Sequence, residues 1–174
     1  EDDRFFIRAL ADRPPDLRML FPLGRLYRTP QGVVPVKALV QDDFGVASVQ
    51  IDVGSGESSP VARQVWPREA LAEGAPPARR ADVYEPVEIG GLRGAEDVPV
   101  KPGDLVRIVV RAADNDRQET AAPEVTVEIL APEELQRRLA QRQVGLRDQL
   151  TQLRSHQRRA LEGIRALRTA LDGR

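Results

Sequence analysis

Cysteine is absent from the 174 residues, which excludes disulfides, thiolate-ligated zinc and thiol catalysis. Aromatic residues are 4% of the chain, so any core has to be assembled from Val, Leu, Ile and Ala. Lysine is nearly missing too. Only Lys37 and Lys101 occur, and the remaining basic residues are Arg. No apolar run approaches the roughly 18–20 residues that span a bilayer, and no signal peptide is visible. The chain opens at Glu1 without a methionine and reads as a piece of something longer, with any membrane anchor outside it.

The residues present divide the chain in two. Thirteen of the 14 prolines precede residue 132. From Pro132 onward there are ten Arg against five acids, whereas the first 131 residues hold 16 basic and 22 acidic residues. These shifts predict a front domain over 1–131 and a separate segment over 132–174.

The front part carries short apolar runs separated by Pro, Gly and Asp. Strands are expected over 4–10 (RFFIRAL), 33–40 (VVPVKALV), 46–53 (VASVQIDV), 84–92 (YEPVEIGGL), 104–114 (DLVRIVVRAAD) and 123–130 (PEVTVEIL). In the third run Val46, Val49, Ile51 and Val53 roughly alternate with polar residues, the period-two signal of a half-buried antiparallel strand. With no helical pattern between them, these runs predict a mainly β, immunoglobulin-like or fibronectin-like antiparallel sandwich. Trp66 lies outside the best of them. The Ala-, Pro- and Arg-rich stretch 67–82 is expected as an exposed insertion.

The back part predicts one long helix of coiled-coil type. Pro132 suits the first helical position, and Glu133 and Glu134 suit the positive end of the helix dipole. A heptad register places Leu139, Leu146, Leu153, Ala160 and Leu167 at d, with Gln143, Leu150, Gln157, Ile164 and Leu171 at a. Gly145 and Gly163 each cost such a helix up to ~1 kcal/mol. A narrow apolar stripe of this kind has to be covered. Leu139, Leu146, Leu150, Leu153, Ile164, Leu167 and Leu171 are therefore expected to mediate homo-oligomerisation, or docking on a helical segment of another protein.

The stretches VPVKALVQDDFGVASVQI, KPGDLVRIVVRAADN and APEVTVEILAPEELQRRLAQRQVGLRDQL together resemble large bacterial proteins, notably of planctomycete-like organisms. In those proteins immunoglobulin-like modules with a DDxGV turn run into a coiled coil that opens SPEEL. The resemblance covers most of the chain. It implies this same architecture and a cell-envelope setting, and it supplies no catalytic residues.

The turn QDDFGV raises a sharper question. If 33–40 and 46–53 are adjoining strands, and 104–113 and 123–130 are another such pair, their connections lie at one end of a sandwich. Asp42, Asp43, Asp114, Asn115, Asp116 and Glu119 would then converge, offering the oxygen ligands that Ca²⁺ prefers. The plainer reading is that Asp and Asn close turns by accepting backbone N–H groups, that Gly45 supplies positive φ, and that Phe44 plugs the core.

Other signals are plain. His156, the one histidine, is expected on the helix surface beside Ser155, and adjacent helix positions do not face each other as a dyad requires. Residues 54–56 (GSG) read as a hairpin tip rather than a phosphate loop. The Arg residues spread around the helix without aromatics, so no nucleic acid is expected. The functions left open are a non-enzymatic structural or interaction module, a calcium-dependent adhesion or carbohydrate-binding module, and a cytoplasmic head-and-stalk scaffold of the end-joining or centriole-assembly type. No other cofactor is expected.

Overall fold

In the computed structural model, which describes residues 11–56, 58–67, 77–94 and 97–172, the chain falls into two compact units, Glu1–Ala131 and Pro132–Arg174. The first contains nine strands among the described residues: β1 (Asp16–Phe21), β2 (Leu26–Arg28), β3 (Val33–Gln41), β4 (Val46–Ser55), β5 (Val61–Trp66), β6 (Arg80–Glu88), β7 (Leu105–Asp114), β8 (Glu119–Ala121) and β9 (Val125–Ile129). The second is a single helix, α1 (Pro132–Asp172).

The strands form two sheets. One has the order β1-β3-β6, and the other runs β2-β9-β7-β4-β5, with β8 also paired to β7. This is the expected mainly β sandwich, followed by the expected long helix. All the pairs are antiparallel except β2 with β9. Among the described residues the first strand, β1, thus lies in one sheet and β2 in the other.

Alternation builds the core. Val34, Val36, Ala38 and Val40 of β3 point inward, as do Val106, Ile108, Val110 and Ala112 of β7, and all eight are buried. Val49 and Ile51 of β4 and Val127 and Ile129 of β9 complete the layer. β-branched side chains suit this pleated, two-sided burial, which is why a chain with few aromatics still packs.

The imperfect alternation of β4 has a local cause. Val46 pairs with Asp114 and Ser48 with Ala113, so Ala47 is an extra residue. A bulge of this kind shifts the face that each following side chain takes. Val46 and Val49 are therefore both buried although three positions apart.

Pro35 in β3 would be damaging in a fully paired strand. It sits opposite Pro86 of β6, and it lies beyond Lys37, the last β3 residue in register with β1.

The structure departs from several expectations. Strands β1, β2, β5 and β8 lack a clear sequence signal. The first three are short or carry outward apolar residues, such as Leu20 and Val61, that blur the alternation. The strand expected over 84–92 begins four residues earlier and gives way to a 3₁₀ turn, Ile89–Gly91. Trp66 closes β5 and packs against the core. Gly54 and Ser55 continue β4, leaving Gly56, at φ 58°, as the turn residue of that group. Phe44 does not plug the core, since it is 47% exposed. The strand expected over 4–10, and residues 68–76 of the insertion, lie outside the described residues.

Candidate functional site

The corner between β3 and β4 answers the question posed by QDDFGV. The inward parity of β3 runs 34, 36, 38, 40, and the next position is Asp42, buried with 9% exposure. That of β7 runs 106, 108, 110, 112, and the next is Asp114, with 2% exposure. Each apolar stripe therefore ends in a carboxylate at the same end of the sandwich, one from each sheet.

Both acids close turns with one oxygen. Asp42 Oδ1 accepts the N–H groups of Phe44, at 2.9 Å, and Gly45, at 2.5 Å. Asp114 Oδ1 accepts the Gln118 N–H at 2.8 Å, while Arg117 takes φ 65°. Their second oxygens are another matter. Oδ2 of Asp42 and Oδ2 of Asp114 are buried and accept no hydrogen bond from the described residues. A buried polar atom without a partner is costly.

A third acid joins them. Asp12, half-buried in the segment before β1, brings a carboxylate oxygen within 4.8 Å of oxygens from Asp42 and Asp114. Its carboxyl is held above the usual carboxylate range, first by its removal from water. The Arg13 N–H, which Asp12 Oδ1 accepts at 2.9 Å, works the other way, while the nearby Asp114 and Asp116 carboxylates push in the same direction as burial.

The corner is closely built. Gly45, at φ 123°, lies where an added Cβ would come within 2.4 Å of Pro77 Cβ. The Asp42 and Val46 N–H groups donate to the carbonyls of Arg79 and Ala78 at 3.1 and 2.9 Å. Asn115 donates its side-chain amide to the Gly45 carbonyl at 3.2 Å, which joins the β3–β4 connection to the one after β7.

Of the residues singled out in the sequence, Asp42 and Asp114 therefore meet, and the two connections do converge. Asn115 serves as a clamp. Asp43 and Glu119 are exposed and stand outside the three-acid group, and Asp116 is an exposed neighbour of Asp12. Asp12 went unnoticed in the sequence because it lies in the breaker ADRPPD, away from any strand pattern. Counting by twos from the core valines would have chosen Asp42 and Asp114 over Asp43 and Asn115, while Asp116 shares the parity of Asp114 but lies past the end of β7.

Two further features stand apart from this corner. A groove of about 370 Å³ opens between β5 and β6, lined by Ile51, Val53, Val61 and Val87, with Arg63 paired to Glu85 at 3.1 Å. On α1, Leu139, Leu146, Leu150, Leu153 and Ile164 are each between 51% and 63% exposed. Val144 and Leu161, off the heptad seam, are exposed as well. The side chains of Leu167 and Leu171 lie outside the described residues. His156 is exposed. Among the described residues no helix is long and apolar enough to cross a membrane.

No protein-family model and no curated protein matches the chain. Among solved structures, the beta-glucosidase from Listeria innocua in complex with glucose aligns with 67% of this chain and 16% of its own, at 14% identity and a TM-score of 0.37. A likeness of that size carries no argument about fold or reaction.

Proposed function

We propose that the chain is a non-enzymatic structural and interaction module of a larger bacterial envelope protein, a β-sandwich head whose helix assembles with the helix of a second copy. One observation carries this reading. Five seam residues of α1 in heptad register, Leu139, Leu146, Leu150, Leu153 and Ile164, expose more than half their surface. Apolar residues at that spacing are the chemistry by which one helix recognises another.

The magnitudes set the kind of assembly expected. Covering a half-exposed Leu gains about 1 kcal/mol, so ten such residues on two helices gain on the order of 10 kcal/mol. Association costs about 4–15 kcal/mol. The association is therefore concentration-dependent, and the polar a positions Gln143 and Gln157 weaken it while favouring one register. The reading assigns no reaction to the chain.

Light scattering over a concentration series tests it. The native chain should show a mass above one copy that rises with concentration, and the Leu150→Gln/Ile164→Gln variant should stay at one copy. A native chain that is monomeric throughout, or a variant with unchanged mass, defeats the proposal. Head-to-head contact in a parallel pair would move the reading toward a head-and-stalk scaffold.

A further inference from the structure

We propose that Asp12, Asp42 and Asp114 form a binding site for a hard divalent cation of the calcium class, which ties the segment before β1 to both sheets of the sandwich. The site is independent of helix assembly and stands or falls separately.

Acidic residues at a loop end are by themselves unremarkable, because turns favour them. Here the turn chemistry is satisfied and a remainder is left. Asp42 and Asp114 close their turns with Oδ1 and still hold Oδ2 buried without a partner. Two ends of apolar stripes, at 9% and 2% exposure, would carry Val or Ala more cheaply. Either acid could close its turn with the amide oxygen of Asn at no charge. Two buried carboxylates that approach from opposite sheets are relieved by a proton or by a positive partner, and no ion pair reaches either one among the described residues.

The geometry admits a cation. One oxygen from each of the three acids lies within 4.8 Å of the others. An ion with oxygen ligands at about 2.3–2.6 Å sits among oxygens separated by up to about twice that distance. Asp116, an exposed acid close enough to Asp12 to raise its carboxyl, stands as a fourth carboxylate at the rim. Water completes the shell of a calcium ion, which tolerates an irregular set of carboxylates, whereas magnesium keeps more of its own water and takes fewer protein oxygens.

The frame is built to hold these groups in place. Gly45 allows the β3–β4 connection to pass against Pro77 with no side chain between them, and Asn115 fastens that connection to the end of β7. Asp42 and Asp114 are thus fixed from both sheets, and Asp12 comes to them from the segment before β1.

The test uses the full 174-residue chain and calcium itself. Melting is followed with chelator, with calcium and with magnesium at about 10 mM, roughly 100 times a Kd on the order of 10⁻⁴ M. Calcium should raise the Tm by about 5–10 °C over chelator. Asp42→Asn and Asp114→Asn keep the turn-closing oxygen and should lose that rise, while Asp43→Asn, one residue away and exposed, should keep it. Without calcium the Asp114→Asn variant should melt no lower than the native chain, because it removes an unpartnered buried charge. Calorimetric titration of the native chain needs no variant and should saturate at one ion per chain. An identical native melt with chelator and with calcium overturns the proposal, as does an absence of saturable heat. A rise that survives in both Asn variants also overturns it, since the ion would then bind elsewhere.

Discussion

Ile108 and Val110 of the sandwich are wholly buried, whereas Leu150 and Ile164 of the helix are 59% and 63% exposed. The side chains are similar in size and apolar character, but their surroundings are opposite. In β7 each inward residue meets the facing sheet, so burial is completed within the chain. In α1 the residues at heptad spacing stay more than half exposed, and on the reading proposed above their burial takes a second copy.

The largest expected effect sharpens that contrast directly. Ile108→Ala should cost the sandwich about 2–5 kcal/mol, read as a shift in the urea midpoint. Leu150→Ala should leave the sandwich transition in place and lower the associated mass instead. A Leu150→Ala chain whose sandwich transition shifts as far as that of Ile108→Ala would break the distinction between the units.

Glycine gives the next contrast, with opposite signs. At Gly45 a methyl group meets Pro77 at φ 123°, so Gly45→Ala should destabilise the sandwich by about 1–3 kcal/mol. At Gly163 nothing lies within 4 Å of the added carbon, so Gly163→Ala should stabilise the helix by about 0.5–1 kcal/mol, seen as increased helical circular dichroism. Equal signs at the two sites would show that the surroundings, as described, do not govern them.

The smallest effect is electrostatic. The Asp82 carboxyl is held below its ordinary value, chiefly by the hydrogen bond from Arg80, at 2.8 Å. A lowered carboxyl contributes stability that is present above its ordinary pKa and lost as pH falls through the lower, folded value. Asp82→Asn should flatten that acid limb slightly and leave melting at pH 7 nearly unchanged, because both partners are exposed. A marked loss at pH 7 would mean that Asp82 does more on its strand than pair with Arg80.

Much of the fold was legible because alternation is a local signal. Val34 to Val40 and Val106 to Ala112 announce two-residue periodicity without any knowledge of what they pack against, and Pro132-Glu133-Glu134 announces a helix start. Strands β2 and β8 are three residues long, too short to carry a period, and they exist because β9 and β7 offer them free edges. Phe44 misled for a related reason. An aromatic residue in an apolar neighbourhood suggests burial, but the turn that Asp42 closes turns its side chain outward.

The candidate cation site divides along the same line. The sequence placed acids in two connections and predicted that they meet at one end. It could not choose among Asp42, Asp43, Asp114, Asn115 and Asp116 without the strand parity that points Asp42 and Asp114 inward, and it gave no hint of Asp12.

By itself, then, the sequence determined the local matters: the β character of the front, the long helix behind it, the seam along that helix and the turns that separate the strands. Each depends on residues within about one or two turns of one another, where spacing alone sets which side chains share a face. Only the tertiary structure decided that the stripes of β3 and β7 end side by side, that the segment before β1 brings Asp12 to them, and that two buried oxygens are left without partners. Those facts depend on how the two sheets pack, and the meeting of β3 and β7, some seventy residues apart and in different sheets, is set by the closing of the whole sandwich rather than by any stretch of it.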